Sequence, residues 1–266
     1  MALQIVSDLH LEAPKAYDMF DIVPRAPCLA LLGDIGNVAA HKTDILAFLI
    51  RQLKSFRTVL FVPGNHEAYH SSWPETLKIL RNFEQEARED DSVGDFILLD
   101  RKAYRMPDSN VVVLGCSLFS SIPPQSADSV SMGLNDFFQI NDWEVGAHNE
   151  AHTRDLAWLN AQVTELDRSN VDIIIFSHWS PSTDGRAIDP RHAQSPITSG
   201  FATDLSGEVC FNSSNVKIWA FGHTHYNCDF IVEREGRSGP LRLVTNQRGY
   251  YFAQATGYDG GKVIEI

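Results

Sequence analysis

The chain has 266 residues, with 34 acidic against 22 basic side chains, a formal net charge of -12 and a pI near 5.2. That balance excludes a broad basic surface, and with it general binding to nucleic-acid polymers or anionic membranes. It leaves room for a small anion held by a local cationic centre.

The 44% hydrophobic and 21% charged content is ordinary for a soluble globular protein. Cys28, Cys116, Cys210 and Cys228 are far apart and form no CxxC pair, so they read as reduced thiols and not as a disulfide framework. No apolar run nears the ~20 residues of a membrane-spanning helix. Met1-Ala2-Leu3-Gln4 leads straight into a strand, with no cationic-then-apolar leader. The expectation is a cytoplasmic protein with no membrane partner.

In chain order, Leu3 to Ser7 is a short apolar strand followed by Asp8-Leu9-His10. Cys28 to Leu32 is a second, followed by Gly33-Asp34-Ile35-Gly36-Asn37. Residues 43–54 carry Ile45, Phe48, Leu49 and Leu53 at helical spacing behind Thr43 as N-cap. Val59 to Val62 is a buried strand that breaks at Pro63-Gly64 and delivers Asn65, His66 and Glu67 in succession. Ser72-Trp73-Pro74 starts a helix running to Arg88.

Phe96 to Leu99 and Val111 to Leu114 are further strands, and the Ser/Pro/Asn-rich stretch from Gly115 to Trp143 reads as a long loop with little periodicity. Residues 144–167 predict a long helix with Val145, His152, Leu156, Leu159, Val163 and Leu166 on one stripe. Val171 to Phe176 leads to Ser177-His178, and a second long loop covers 180–208. Val216 to Phe221 leads to Gly222-His223-Thr224-His225. The tail reads as strands at 229–233, 241–245, 250–254 and 262–266, the last two joined as a hairpin through Gly257 to Gly261. With no repeat and no linker, one α/β domain over residues 1–266 is the simplest organisation.

Five apolar strands thus end in Asp8/His10, Asp34, Asn65/His66, His178 and His223/His225. In α/β sheets, ligands gather beyond the carboxyl ends of strands. Asp8/His10 and His223/His225 are spaced i, i+2, which on extended chain puts both side chains on one side. Imidazoles and carboxylates without thiolate suit Zn, Mn, Fe or Ni and disfavour an all-oxygen calcium site. The set is too large for one tetrahedral ion and large enough for two that share a carboxylate. Two divalent ions against two ligating carboxylates leave a positive centre inside an acidic protein, and ions ~3.5 to 4 Å apart suit in-line attack on phosphorus.

These residues resemble a known family. The order D-x-H, GD-x-x-[DN], GNH-[DE], H, GH-x-H is the signature of calcineurin-like metallophosphoesterases. Here it stands as Asp8-Leu9-His10, Gly33-Asp34-Ile35-Gly36-Asn37, Gly64-Asn65-His66-Glu67, His178 and Gly222-His223-Thr224-His225. The surrounding text (SDLHLE, GNHEAYHSSW, GLNDF, SGFATDL, FGHTHYN) is similar to a fungal branch of that family.

The resemblance implies two mixed β-sheets packed as an α/β/β/α sandwich flanked by helices, and two divalent or mixed-valence ions of Mn, Zn or Fe. It implies that Asp8, His10 and His225 hold the first ion and Asn65, His178 and His223 the second, with Asp34 bridging. A bridging hydroxide would attack phosphorus, and His66, not a ligand, would protonate the leaving oxygen or steady the phosphoryl charge. Asn37 stands where many members have aspartate.

Asn37, Arg186, Arg191 and His192 are candidates for substrate contact, with solvated loop residues as the plain alternative for the last three. Glu67 is either a surface acid at a helix start or the partner that orients His66. His148 and His152, spaced i, i+4, read as core histidines more than as ligands, and the Phe137-Phe138 pair as loop packing more than as a base-stacking platform.

The function expected is hydrolysis of small phosphodiesters, cyclic nucleotides among them. The alternatives are a phosphomonoesterase or protein phosphatase on the same site, and a non-catalytic metal-binding scaffold.

Overall fold

The structure, a computed structural model, describes residues 2–192, 194–234, 236 and 239–265. Its first sheet runs in the order β13-β1-β2-β3-β4, from β1 (Ala2–Val6), β2 (Cys28–Leu31), β3 (Thr58–Phe61), β4 (Asp95–Leu98) and β13 (Val263–Glu265). Strands β1 to β4 are parallel and β13 is antiparallel to β1. The second sheet runs β5-β6-β7-β8-β10-β9, from β5 (Lys102–Arg105), β6 (Val111–Gly115), β7 (Asp172–Phe176), β8 (Val216–Phe221), β9 (Asp229–Glu233) and β10 (Pro240–Thr245). Its four central strands are parallel and its two edge strands antiparallel. A separate hairpin pairs β11 (Gly249–Tyr250) with β12 (Ala253–Gln254).

Both sheets are mixed, and three apolar layers make them a sandwich. Alternate residues of each strand go to opposite faces. Leu3, Ile5, Ala30, Leu60 and Val62 of the first sheet meet Val113, Ile174, Phe176, Ile218 and Val244 of the second. The other face of the first sheet packs on α1 (Lys42–Ser55) and α2 (Trp73–Arg88) through Phe48, Leu49, Leu53, Leu80 and Phe83. The other face of the second packs on α5 (Val145–Leu166) through Leu159 and Val163. This is the expected α/β/β/α arrangement. Among the described residues no helix is long and apolar enough to cross a membrane, and all four cysteines are free.

The tail differs from its sequence reading. Strands near 250–254 and 262–266 do not pair with each other; β11 and β12 fold back locally, and β13 crosses to β1, with Ala2 opposite Glu265. Ile266 lies outside the described residues. The glycines at 257–261 signalled a turn, and a turn signal cannot name the strand that follows as a partner. The 115–143 stretch is not wholly irregular either: it holds α3 (Ala127–Gly133) and α4 (Asp136–Gln139), both too short to show periodicity. Lys102–Arg105, a half-exposed edge strand without an apolar run, gave no strand signal at all. A last short helix, α6, spans Val209–Asn212.

Helix α5 anchors the long loop from its buried polar face. Asp155 accepts from Leu118 N at 2.8 Å and from Arg101 Nη1 at 2.6 Å. His148 Nε2 accepts from Ser120 N at 3.1 Å, inside a shell of Phe119, Trp143 and Trp179 rings. Burial and the nearby His152 push the His148 pKa down to about 3. The unfolded chain, with an ordinary histidine near 6.5, takes up this proton first, so folding stability is full above pH 6.5 and falls as pH drops toward 3. The slope from this residue is at most about 1.4 kcal/mol per pH unit. Thermal melts of metal-free protein at pH 7.5 and 5 should show wild type losing more stability on acidification than His148→Phe. Equal losses would contradict this account.

Candidate metal centre

The parallel strands of both sheets deliver their C-terminal ends to one edge of the sandwich, where the next residues turn sharply. Asp8, His10, Asp34, His223 and His225 have φ of 53°, 46°, 54°, 69° and 48°. This left-handed backbone is a region in which Asp and His are enriched but which still costs free energy. The i, i+2 pairs are therefore not aligned by extended chain, as the spacing alone suggested. Cross-links between the loops hold them: Asp8 N donates to Gly33 O and His10 N to Asp34 O, both at 3.0 Å, and His223 N donates to Asp8 Oδ1 at 3.1 Å. Gly33, at φ 88°, and Gly64 let these turns close, because a Cβ on Gly33 would strike the His178 ring and one on Gly64 the Asp34 carboxylate.

Glu67 is the clamp beneath this edge. It is fully buried and accepts from four backbone N–H groups: Asp34 at 2.9 Å, Gly64 at 2.6 Å, Ile35 at 2.7 Å and Gly36 at 3.3 Å. It is neither of the things its position suggested, a surface acid or a partner of His66. Burial and the charge of Asp34 push its pKa up to about 7, while the four N–H groups favour the ionised form.

Among the described residues three groups of donor atoms gather here, one of them His10, Glu12 and His66, and the other two meet at Asp34. In one, Asp8, His10 and His225 bring their atoms within 4.8 Å, with His10 Nε2 2.9 Å from His225 Nε2 and His225 Nε2 3.3 Å from Asp8 Oδ1. In the other, Asp34, His178 and His223 converge, with Asn65 Oδ1 3.1 Å from His178 Nε2. Asp34 reaches both: its Oδ1 lies 3.3 Å from His178 Nε2, and its Oδ2 lies 4.0 Å from His10 Nε2 and 3.9 Å from His66 Nε2.

The donor set fits divalent cations. His223 Nε2 is buried and has no hydrogen-bond partner in the protein, a costly arrangement that a cation would relieve. His178 Nδ1 is 2.8 Å from Leu32 O, which leaves its Nε2 aimed at Asp34. In the metal-free chain, burial works against charge on all these groups; it wins at His223 and His10, which it pushes down, and loses to the neighbours at Asp34, His178 and Asp8. Asp34 is held well below the usual carboxylate range by His178 and His66, and His178 is lifted to about 10 by Asp34. Asp8 is likewise lowered, through its contact with His225.

Several partners of these side chains carried no clear signal in sequence. Glu12 Oε1 lies 2.7 Å from His66 Nδ1 and 3.3 Å from His10 Nδ1, so one carboxylate turns both rings to present Nε2 toward Asp34. The Asp8, His10, Glu12 alternation was the available hint. Burial raises the Glu12 pKa, and its bonds to the two histidines outweigh that and bring it down to about 2. Against burial, Asp34 and Glu12 lift His66 to about 9. Asp136 Oδ1 accepts from Asn65 Nδ2 and from Tyr69 OH, each at 2.7 Å, which turns Asn65 Oδ1 toward His178. Tyr250 stacks on His10 with ring centroids 4.2 Å apart and places its OH 3.3 Å from His66 Nε2.

A cavity of about 330 Å³ opens from this centre, lined by Asp34, Asn65, His66, His223 and His225 and reaching His192. The other candidates for substrate contact do not line it. Arg186 pairs with Asp184 and lies over the Phe230 ring, and Arg191 pairs with Asp189 and points to solvent. Asn37 is buried, its Nδ2 donating to His66 O at 2.8 Å. Arg248 donates to Leu9 O and lies over Phe20. His148 and His152 are buried and stand outside the donor groups, with Phe137 packed near His148 and Phe138 exposed.

Residues 1–227, which hold every one of these donors, match the calcineurin-like phosphoesterases. The chain belongs to that family. It is therefore a metal-dependent phosphoester hydrolase, and its metals are divalent ions. An uncharacterised protein of Acanthamoeba polyphaga mimivirus is 27% identical over 277 residues, covering 93% of this chain and 91% of that protein. The fold is shared with the phosphopantetheinyl hydrolase of Mycobacterium tuberculosis at a TM-score of 0.66 and 15% identity, over 94% of this chain and 89% of that one.

The Glu67 clamp has a measurable consequence. Glu67→Gln keeps one carbonyl acceptor but turns an NH2 group toward backbone donors, which should cost roughly 2 to 4 kcal/mol in urea denaturation of metal-free protein. Wild-type stability in that variant would contradict the clamp.

Proposed function

We propose that the chain, working as one domain over residues 1–266, is a dinuclear phosphoesterase that hydrolyses small phosphodiesters. The observation that carries this reading is Asp34, with one carboxylate oxygen toward His178 and the other toward His10. Asp8, His10 and His225 would hold one ion and Asn65, His178 and His223 the other, with Asp34 within reach of both groups. Asn65 contributes its Oδ1, because Asp136 occupies its Nδ2. Bound there, divalent Mn, Zn or Fe supplies positive charge to the phosphoryl oxygens and lowers the pKa of water at the site.

The remaining work falls to side chains. His66 is held through Nδ1 by Glu12 and presents Nε2 to the cavity, where it protonates the leaving oxygen. Tyr250, beside Nε2 and stacked on His10, helps to cover that side of the centre. Thr76 Oγ1 donates to Glu67 O at 3.3 Å, and Asn37 Nδ2 to His66 O, so the turn carrying Asn65 and His66 is fixed from behind.

Small substrates are favoured over phosphoproteins because residues of both long loops, Leu134 and Ile197 among them, enclose the cavity. The net charge of -12 supports the exclusion of nucleic-acid polymers. Reduced, mostly buried cysteines support a cytoplasmic working place. A non-catalytic scaffold is disfavoured by a donor set with no gap in it.

With Mn²⁺ added, purified protein should hydrolyse bis-p-nitrophenyl phosphate faster than p-nitrophenyl phosphate, and a strong monoester preference would overturn the diester reading. His66→Ala should keep its metal and lose roughly 10²- to 10⁴-fold in rate. Asp34→Ala should lose metal as well as rate. Equal metal content in the two variants by elemental analysis would overturn the assignment of roles.

A further inference from the structure

The cavity has two unlike ends. One is the polar centre already described. The other is walled by Leu134, Ile188, Ile197 and Phe201, contributed by the two long loops. These loops are locked together and not merely adjacent. A Cβ on Gly133 would come within 2.8 Å of Ile197 Cγ2, and one on Gly200 within 2.8 Å of Leu134 Cδ2. Ile197 and Phe201 pack on a small buried cluster of Ile122, Val130 and Leu134, so the wall is preformed. It also begins at the donor groups: the Phe201 ring centroid is 5.0 Å from that of His223, which has Trp179 at 4.7 Å.

The charges along this cavity point the same way. No lysine or arginine is among its lining residues, while Asp34, Asp136 and Asp189 are. Asp136 Oδ2 is buried without a hydrogen-bond partner in the protein, and Asp189 is already paired with Arg191. Beyond the ions, the groups there that could meet an anion are imidazoles, and His66 among them is already engaged with Asp34 and Glu12, so no lysine or arginine is on hand for a second phosphate. A polyphosphate chain entering this space would meet carboxylates and an apolar wall, and would leave solvating water without compensation.

We infer that the substrate carries a single phosphorus and that one of its ester arms is an uncharged apolar group lying against Leu134, Ile197 and Phe201. This deepens the phosphoesterase reading and rests on it. Aryl esters and alkyl esters of several carbons belong to the class; nucleoside triphosphates and nucleic acids do not. Discrimination comes from burying the arm, so it should appear in KM and kcat/KM as the arm grows.

The test keeps the leaving group constant and changes the other arm. Methyl p-nitrophenyl phosphate, phenyl p-nitrophenyl phosphate and ATP are assayed with Mn²⁺-loaded protein, for wild type, Ile197→Ala and Ile197→Asp. Ile197 is half-buried, so both variants should fold, and the metal content of each is measured alongside. The expected result is a phenyl-over-methyl preference of roughly tenfold or more in kcat/KM, with ATP slower than either. Both variants should erode that preference, Ile197→Asp the more, while metal content stays as in wild type. Equal kcat/KM for the two diesters, or ATP cleaved as fast as the phenyl ester, would overturn the inference and leave the phosphoesterase reading standing. Metal-loaded protein that cleaves none of the three would overturn both.

Discussion

Asp34 is a carboxylate taken almost wholly out of water, and a buried carboxylate is stable only where cations or donors surround it. Around Asp34 they do: His178 on one oxygen, His10 and His66 on the other side, and His66 N donating to Oδ1 at 2.9 Å. The loop that carries it is in turn fixed by Glu67 through Asp34 N, Ile35 N and Gly36 N. Two sheets contribute to this one arrangement, since Asp34 follows a strand of the first and His178 a strand of the second. The sandwich core brings those strand ends together, and the charge at the centre is what the core's geometry is used for.

The acidic protein and its acid-friendly centre are reconciled on the scale of a few ångströms. In the metal-free chain the buried carboxylates lean on His66, drawn toward protonation by Asp34 and Glu12, and on His178, drawn toward it by Asp34. Cations bound between the same groups would take over that role. At this centre the buried imidazole nitrogen without a partner, His223 Nε2, marks where the protein's own side chains leave the balance incomplete.

What was legible in sequence were the residues that follow apolar strands directly. Asp8, Asp34, Asn65, His178 and His223 each stand a few positions past a strand end, and the fold gathers strand ends by itself. The long amphipathic helices were equally readable, because α2 buries Ile79, Leu80, Phe83 and Ala87 at helical spacing. Side chains that reach the centre from elsewhere were not. Asp136 lies in a short helix inside a loop without periodicity, and Tyr250 on a hairpin whose place depends on contacts far away in sequence. Glu67 was visible but misread, since nothing local says that three backbone donors of another turn will join one of its own in converging on it. The pairing of β13 with β1 was hidden for the same reason: it joins the two ends of the chain.

The central claim is that Asp34 sits between two cation sites. A crystal structure of Mn²⁺-loaded protein, with anomalous scattering recorded at the manganese edge, addresses it most directly. The account predicts two anomalous peaks on opposite sides of the Asp34 carboxylate, one against Asp8, His10 and His225 and one against Asn65, His178 and His223. A single peak, or peaks away from Asp34, would contradict it.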